Sequence, residues 1–391
     1  MGIVIVGGGI IGCLTACRLR QQGADVTVVE SGDIGREASW AGAGILCPIH
    51  PWLYPDCFSE LVQHSLDLYP ALQHQLLAQT GIDIEWQRSG LLIPFFGDES
   101  HWQPAQEWSQ RFNWEVEPMD GAAARVIEPS LAPSVQRALL WPQVAQLRNP
   151  RLLKAVCKWM EQLGVEVRSH TKVRRLLVRD GEITGVELAS DSEPAGENIG
   201  AQLGTQIDAD QVLLAAGSWS DALLEPLGVA LAIRPVKGQI ILLATAPGTV
   251  RHIVKHDALY LVPRADGRVL VGATMEHVGF RDGNTVAEVH GLLDGLMCMF
   301  PGLTQCEIER QWMGFRPGSP DGMPFLGEID GARGLFVASG HYRNGVALAP
   351  VTAECMAALM MGDPPEVEMA PFSPNRKINR SATLGYPSKS S

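Results

Sequence analysis

What this 391-residue sequence lacks narrows its chemistry first. There is no excess of positive charge: 31 Lys and Arg stand against 43 Asp and Glu, a formal net charge of −12. No basic footprint exists for nucleic acid or an anionic membrane surface, so nucleic-acid binding is not expected and any functional arginine should be a local device in an acidic background. No uninterrupted apolar run reaches the ~18 residues that a membrane span needs, and no basic leader precedes the first apolar strand at Ile3. The expectation is a cytoplasmic protein without a transmembrane span. The eight cysteines include no CxxC pair and read as reduced thiols. Cys13 and Cys17 are one helical turn apart, but no second ligand pair is spaced to complete a metal site, so they read as packing residues. His252 and His256 share that spacing within "RHIVKHD", where Val and Ile suggest a strand. No metal is expected.

An apolar fraction of 46% is ample for a core, and the length suggests roughly two domains. The strongest signal is "GIVIVGGGIIGCLTACRLRQQGADVTVVES". Ile3 to Val6 read as a buried strand, a helix runs to about Gln22, and Asp25 to Glu30 return as a second strand. Between the first strand and the helix, Gly7, Gly9 and Gly12 form GxGxxG. Gly7 serves the tight turn, Gly9 lets backbone approach a pyrophosphate, and Gly12 lets helix and strand pack closely. The helix N-terminus offers backbone donors and a positive dipole to phosphate, and Glu30 stands where an acid would receive ribose hydroxyls. This is a dinucleotide-binding βαβ unit, which by itself leaves NAD and FAD open.

Two further stretches bear on that choice. "GREASWAGAGILCP", Gly35 to Pro48, has few large side chains and suggests backbone lying against a flat ligand, a flexible surface loop being the alternative. "DQVLLAAGSWS", Asp210 to Ser220, is a buried strand ending in small residues, as a parallel sheet with ligand at its strand ends would have.

Patterning along the chain suggests interleaved domains. Phe58 to Leu77 and Trp102 to Phe112 look helical, and Asn149 reads as the N-cap of a helix with Pro150 at its first position. A hairpin is expected about Asp180 and Gly181, and "DSEPAGENIGAQLGTQ", Asp191 to Gln206, reads as a Gly-rich polar loop. Strands dominate from about Leu223 to Gln311, with "ALYLVPRADGRVLVGATM" a pair turning at Ala265–Gly267. The expected fold is α/β: a Rossmann-like nucleotide domain (1–48, 142–222 and 312–364) interleaved with a mainly antiparallel substrate domain (49–141 and 223–311), and a tail over 365–391.

Taken together, "VGGGIIG", "VKGQ", "LYLVPRADGRVLVGATM", "GFRPGSPDGMPFLG" and "GHYRNGVALAP", in that order, resemble the D-amino-acid-oxidase-like FAD oxidoreductases, and within them the glycine oxidases of thiamine biosynthesis. The resemblance covers nearly the whole chain and is weakest over Pro51 to Trp141. It implies non-covalent FAD, since the "GFRPG" region holds no cysteine, with Ile10, Ile11, Glu30, Ser31, Ala38, Ser39, Ala43, Gly44 and Ile45 along the cofactor and Val173 near its adenine. His341, Tyr342, Arg343, Asn344, Gly345, Val346 and Ala347 would cross the flavin. Arg316 would anchor a substrate carboxylate through its planar fork, helped by Arg343, with Tyr260 and Met275 shaping the pocket. Glycine oxidases carry His two residues before this Tyr; here that position is Ala258.

The activity so implied is oxidative deamination of a small amino acid or amine, by hydride transfer from the α-carbon to flavin N5. Imine hydrolysis would follow, with dioxygen as acceptor and peroxide as product. The alternative is a D-amino-acid or secondary-amine dehydrogenase that passes electrons to a quinone or another acceptor.

Overall fold

The computed structural model describes residues 1–48, 50–189 and 205–378. The expected Gly-rich loop, except for its last two residues, and the end of the tail lie outside that range.

The first strand, β1 (Gly2–Val6), leads through the glycine turn into helix α1 (Ile10–Gln21) and back into β2 (Asp25–Val29), which pairs parallel to β1. They belong to a six-stranded sheet in the order Phe325–Glu328, Leu335–Ser339, Gln211–Leu214, β1, β2, Glu166–Arg168. Every neighbouring pair is parallel except the outermost, Phe325–Glu328 with Leu335–Ser339. Strand side chains alternate between faces. Ile3 and Ile5 accordingly enter the cluster built by α1 and the helices Asn149–Gln162 and Ala349–Met361, whereas Val4 and Val6 pack with the antiparallel meander Val173–Arg179, Glu182–Leu188 and Gln206–Asp208. The chain leaves β1 toward β2 on one side and has Gln211–Leu214 on the other. A crevice therefore opens beyond the carboxyl ends of β1 and Gln211–Leu214.

A second sheet has eight strands, in the order Glu307–Gly318, Arg234–Ala244, Arg268–Gly272, Leu259–Pro263, Ile253–His256, Leu91–Phe95, Arg137–Trp141, Glu117–Asp120. It is antiparallel except where Ile253–His256 meets Leu91–Phe95. One face, with Ile241, Leu243, Leu261 and Val271, is covered by the helix Val286–Met299. The opposite face, with Ile240, Tyr260, Val262 and Leu270, carries aromatic residues from the helix Trp102–Arg111 and looks toward the crevice.

The divisions at 312 and 222 fall within the strand Glu307–Gly318 and the helix Ser220–Leu224. One expectation needs correcting. Asn149 is the first residue of its helix, after Arg148 as N-cap. Its side chain does not cap but donates from Nδ2 to the Ser39 carbonyl at 2.7 Å. The helix Val286–Met299 lies within the stretch where strands were expected to dominate.

Candidate functional site

At the end of β1, Gly7 has φ +113°, and a Cβ there would lie 2.4 Å from the Ala215 carbonyl of the neighbouring strand. Gly12 approaches even more closely, with a Cβ position 2.1 Å from the Gly7 oxygen. Only bare backbone lets α1 start directly under the sheet edge. Gly9 is the N-cap of α1, and the Ile10 N–H donates to Ser39 Oγ at 2.9 Å. Glu30 ends beside this turn. Its Oε2 accepts from Gly8 N at 2.8 Å and its Oε1 from Gly32 N at 2.8 Å, so the carboxylate is fixed at the rim, with capacity left for further donors.

The small-residue stretch after β2 is a wall and not a loose loop. Asn149 holds Ser39, Trp312 Nε1 donates to Ala41 O at 3.0 Å, and Arg264 donates to Ala43 O at 2.7 Å and to Leu147 O at 2.8 Å. Arg264 is buried, and its pKa is pulled down to about 10, first by that burial and then by the charge of Arg148. It remains a cation that ties the backbone at Ala43 to that at Leu147.

These elements enclose a cavity of about 600 Å3 that runs from Glu30 and Val173 to Arg316 and Arg343. Along its length the wall is largely bare backbone and methyl groups: Gly7, Gly9, Ala38, Gly42, Ala43, Gly44, Ala215, Ala216 and Gly217. The α1 N-terminus, the Glu30 carboxylate and the residues Thr171, Lys172, Val173 and Arg174 lie along this surface, whose small side chains leave room for an extended, flat ligand.

At the other end, Arg316 and Tyr260 come from separate strands of the eight-stranded sheet. Arg316 Nη1 donates to Thr274 O at 3.1 Å and to Lys237 O at 3.4 Å, and its guanidinium also hydrogen-bonds the Tyr260 hydroxyl. Burial pushes the Tyr260 pKa up, partly opposed by the charge of Arg316, so the phenol stays protonated. Arg343 follows Tyr342, which has φ +52° and its N–H on the Pro317 carbonyl at 2.9 Å. That turn brings the Tyr342 hydroxyl and the Arg343 guanidinium to Met275 Sδ, each at 2.8 Å. His341 faces inward, with its ring Nε2 3.1 Å from Thr352 Oγ1, and burial pulls its pKa down to about 3.

Of the residues singled out in the sequence, Arg316, Arg343, Tyr260 and Met275 line one end of this single cavity. Gly7, Gly9, Ile10, Ile11, Glu30, Ser31, Ala38, Ser39, Ala43, Gly44, Ile45, Val173, His341, Tyr342, Asn344, Gly345 and Val346 also line it. Gly12 and Ala347 are buried behind the wall, where they pack and do not face the space. The reading missed Arg264, Gly238 and Cys47, although "VKGQ" and "LYLVPRADGR" contain the first two. Cys47 lines the cavity with its thiol pushed up to about 12 by burial, so no thiolate is present there. Among the described residues no group of three His, Cys, Asp or Glu is placed to hold a metal ion, and no helix is long and apolar enough to cross a membrane.

Residues 2–359 match the family described as FAD dependent oxidoreductase. The glycine oxidase of Pseudomonas aeruginosa is 38% identical over 378 residues, covering 96% of this chain and 99% of the relative. That of Pseudomonas putida is 36% identical over 377 residues, with the same coverage. Among solved structures, glycine oxidase from Geobacillus kaustophilus superposes with a TM-score of 0.87 at 28% identity, over 96% of this chain and 99% of that one.

Proposed function

The chain belongs to the family of FAD-dependent oxidoreductases, and on that premise we propose that it oxidises the C–N bond of a small amino acid or amine, as a glycine oxidase does. Arg316 carries this reading: a half-buried guanidinium, set against a protonated tyrosine hydroxyl, at the end of the cavity opposite the nucleotide turn.

FAD, held along the wall that runs from Glu30 to Arg343, would supply at flavin N5 a two-electron acceptor for hydride from the substrate α-carbon, with dioxygen as the final acceptor. Arg316 meets the substrate carboxylate with two parallel donors, a geometry that a guanidinium forms and an ammonium does not. Its backbone acceptors, Thr274 and Lys237, hold the fork in place before substrate arrives, so little ordering is left for the bound state. Tyr260 adds a neutral donor to the same carboxylate, and Met275, held by Tyr342 and Arg343, sets the width of the pocket.

Besides Arg316, the titratable groups lining this end include Tyr260, Tyr342, Arg343 and His341; Tyr260 is held protonated and His341 uncharged. The site therefore positions an amine that arrives neutral, and the imine it forms is hydrolysed in water. The test is the visible spectrum of the purified protein, recorded anaerobically before and after glycine, sarcosine and D-alanine. Bleaching by one of them, with peroxide formed when air is admitted, supports the reading. A flavin spectrum that no amino acid or amine changes would overturn it, and bleaching without peroxide would point to a different electron acceptor.

A further inference from the structure

The strand Ile253–His256 carries a charged residue that the site described above does not use. Lys255 is 2% exposed, and its Nζ has no hydrogen-bond partner among the described residues. A buried ammonium without a partner is costly, and proteins seldom retain one without a counter-charge.

Strand pairing fixes which way Lys255 faces. It stands directly opposite Tyr260 in antiparallel register, so the two side chains leave the same face of the sheet, the face that carries the cavity. Two residues before Tyr260, Ala258 lines that cavity with only a methyl group. Arg343, also on the wall, is close enough for its charge to act on Lys255. Burial first, and then this repulsion, pull the lysine down to about 7. Asp257 opposes the shift, but it is an exposed residue ion-paired with His256. Besides burial, the bases Lys255, His101, Arg343 and His256 lower the pKa of the adjacent buried His50. This corner is thus rich in basic side chains, and Arg343 acts on both Arg316 and Lys255.

We propose that the corner is a second anion subsite, in which Lys255 pairs with a carboxylate or similar anionic group on the substrate's nitrogen substituent or side chain. The preferred substrates are then amino-acid or amine dianions and not glycine itself. The inference rests on the reading that Arg316 holds the α-carboxylate. With a substrate that has no second anion, Lys255 must stay unpaired or shed its proton. A second carboxylate stabilises the ammonium and gains an ion pair shielded from water, where such pairs are stronger than at a surface.

The test is isothermal titration of the FAD-loaded protein, at constant ionic strength, with two non-oxidisable acids, thiodiacetate and (methylthio)acetate, which differ by one carboxylate. Thiodiacetate is expected to bind about tenfold more tightly or better, a preference that Lys255→Met removes and Lys255→Arg largely keeps. Ala258→Leu, which leaves the lysine in place and fills cavity space on the wall two residues before Tyr260, should also remove the preference and serves if Lys255→Met does not fold. Equal affinities in the unsubstituted protein, or a preference that survives both Lys255→Met and Ala258→Leu, would overturn the proposal. Bleaching by sarcosine and by iminodiacetate is then measured separately. A dicarboxylate preference in binding, with neither amine bleaching the flavin, keeps the subsite and removes the amine-oxidation reading. Bleaching by sarcosine with no dicarboxylate preference does the reverse.

Discussion

The guanidinium of Arg316 lies against the bare backbone of Gly238: a methyl group on that glycine would stand 2.3 Å from Nη1. Gly238 belongs to the strand paired with that of Arg316, so the contact is set by register and not by a mobile loop. Gly238→Ala should therefore tilt the fork out of line without touching the nucleotide end. The expected result is a KM for carboxylate substrates raised about tenfold or more, with FAD content unchanged, because a small misplacement of a positioning group is costly. Steady-state kinetics beside flavin quantitation checks it, and an unchanged KM would mean that Arg316 does not position the substrate.

Truncating the arginine itself is the harsher form of that test. Arg316→Ala should raise KM by about a hundredfold while FAD stays bound, since losing one partner of a desolvated charged pair costs roughly 2–5 kcal/mol. Arg316→Lys should recover only part of this, because lysine keeps the charge and loses the planar fork. Full recovery by lysine would show that charge alone matters here.

At the nucleotide end, Gly12→Ala would place a carbon 2.1 Å from the Gly7 carbonyl oxygen. Backbone on both sides leaves no flexible group to yield, so α1 must shift away from β1. The variant is expected to lose about 1–3 kcal/mol of stability and to purify with little FAD. The ratio of flavin to protein absorbance, measured beside urea unfolding, reads both effects.

Acid sensitivity follows from His341, which burial holds near 3 in the folded chain against about 6.5 when unfolded. Below the unfolded value the denatured chain binds a proton that the native state refuses. Stability from this residue is therefore complete above about pH 6.5 and falls as pH drops, by about 2 kcal/mol at pH 5. His50, held near 2 chiefly by burial and further by neighbouring bases, adds a loss of the same sign. Unfolding free energies at pH 7.5, 6.5 and 5 should show this slope, and His341→Asn, which cannot titrate, should flatten it. An identical slope in the variant would mean that His341 is protonated in the native protein.

Legibility in the sequence followed the range of the interactions concerned. The βαβ unit could be read because its determinants, an uninterrupted apolar strand, three glycines and an acid, all lie within 30 residues of one another. The helix Val286–Met299 could not, because Gly291 and Gly295 break its pattern. A Cβ at Gly295 would lie 2.9 Å from Leu259 Cδ2 of the sheet beneath, so the helix packs closely there through a contact between distant segments. Arg264 gave no local sign of being a clamp, as the carbonyl it holds at Ala43 is 221 residues away.

By itself the sequence determined the nucleotide turn, the order of the motifs and the residue types at both ends of the cavity, since each depends on local geometry or side-chain chemistry. Only the tertiary structure decided that Arg316, Tyr260, Met275 and Arg343 share one end of a single cavity. It alone put Gly12 and Ala347 behind the wall and left Lys255 buried without a hydrogen-bond partner among the described residues. Burial and charge environment are sums over contacts between strands far apart in the chain, and no short stretch of sequence contains that sum.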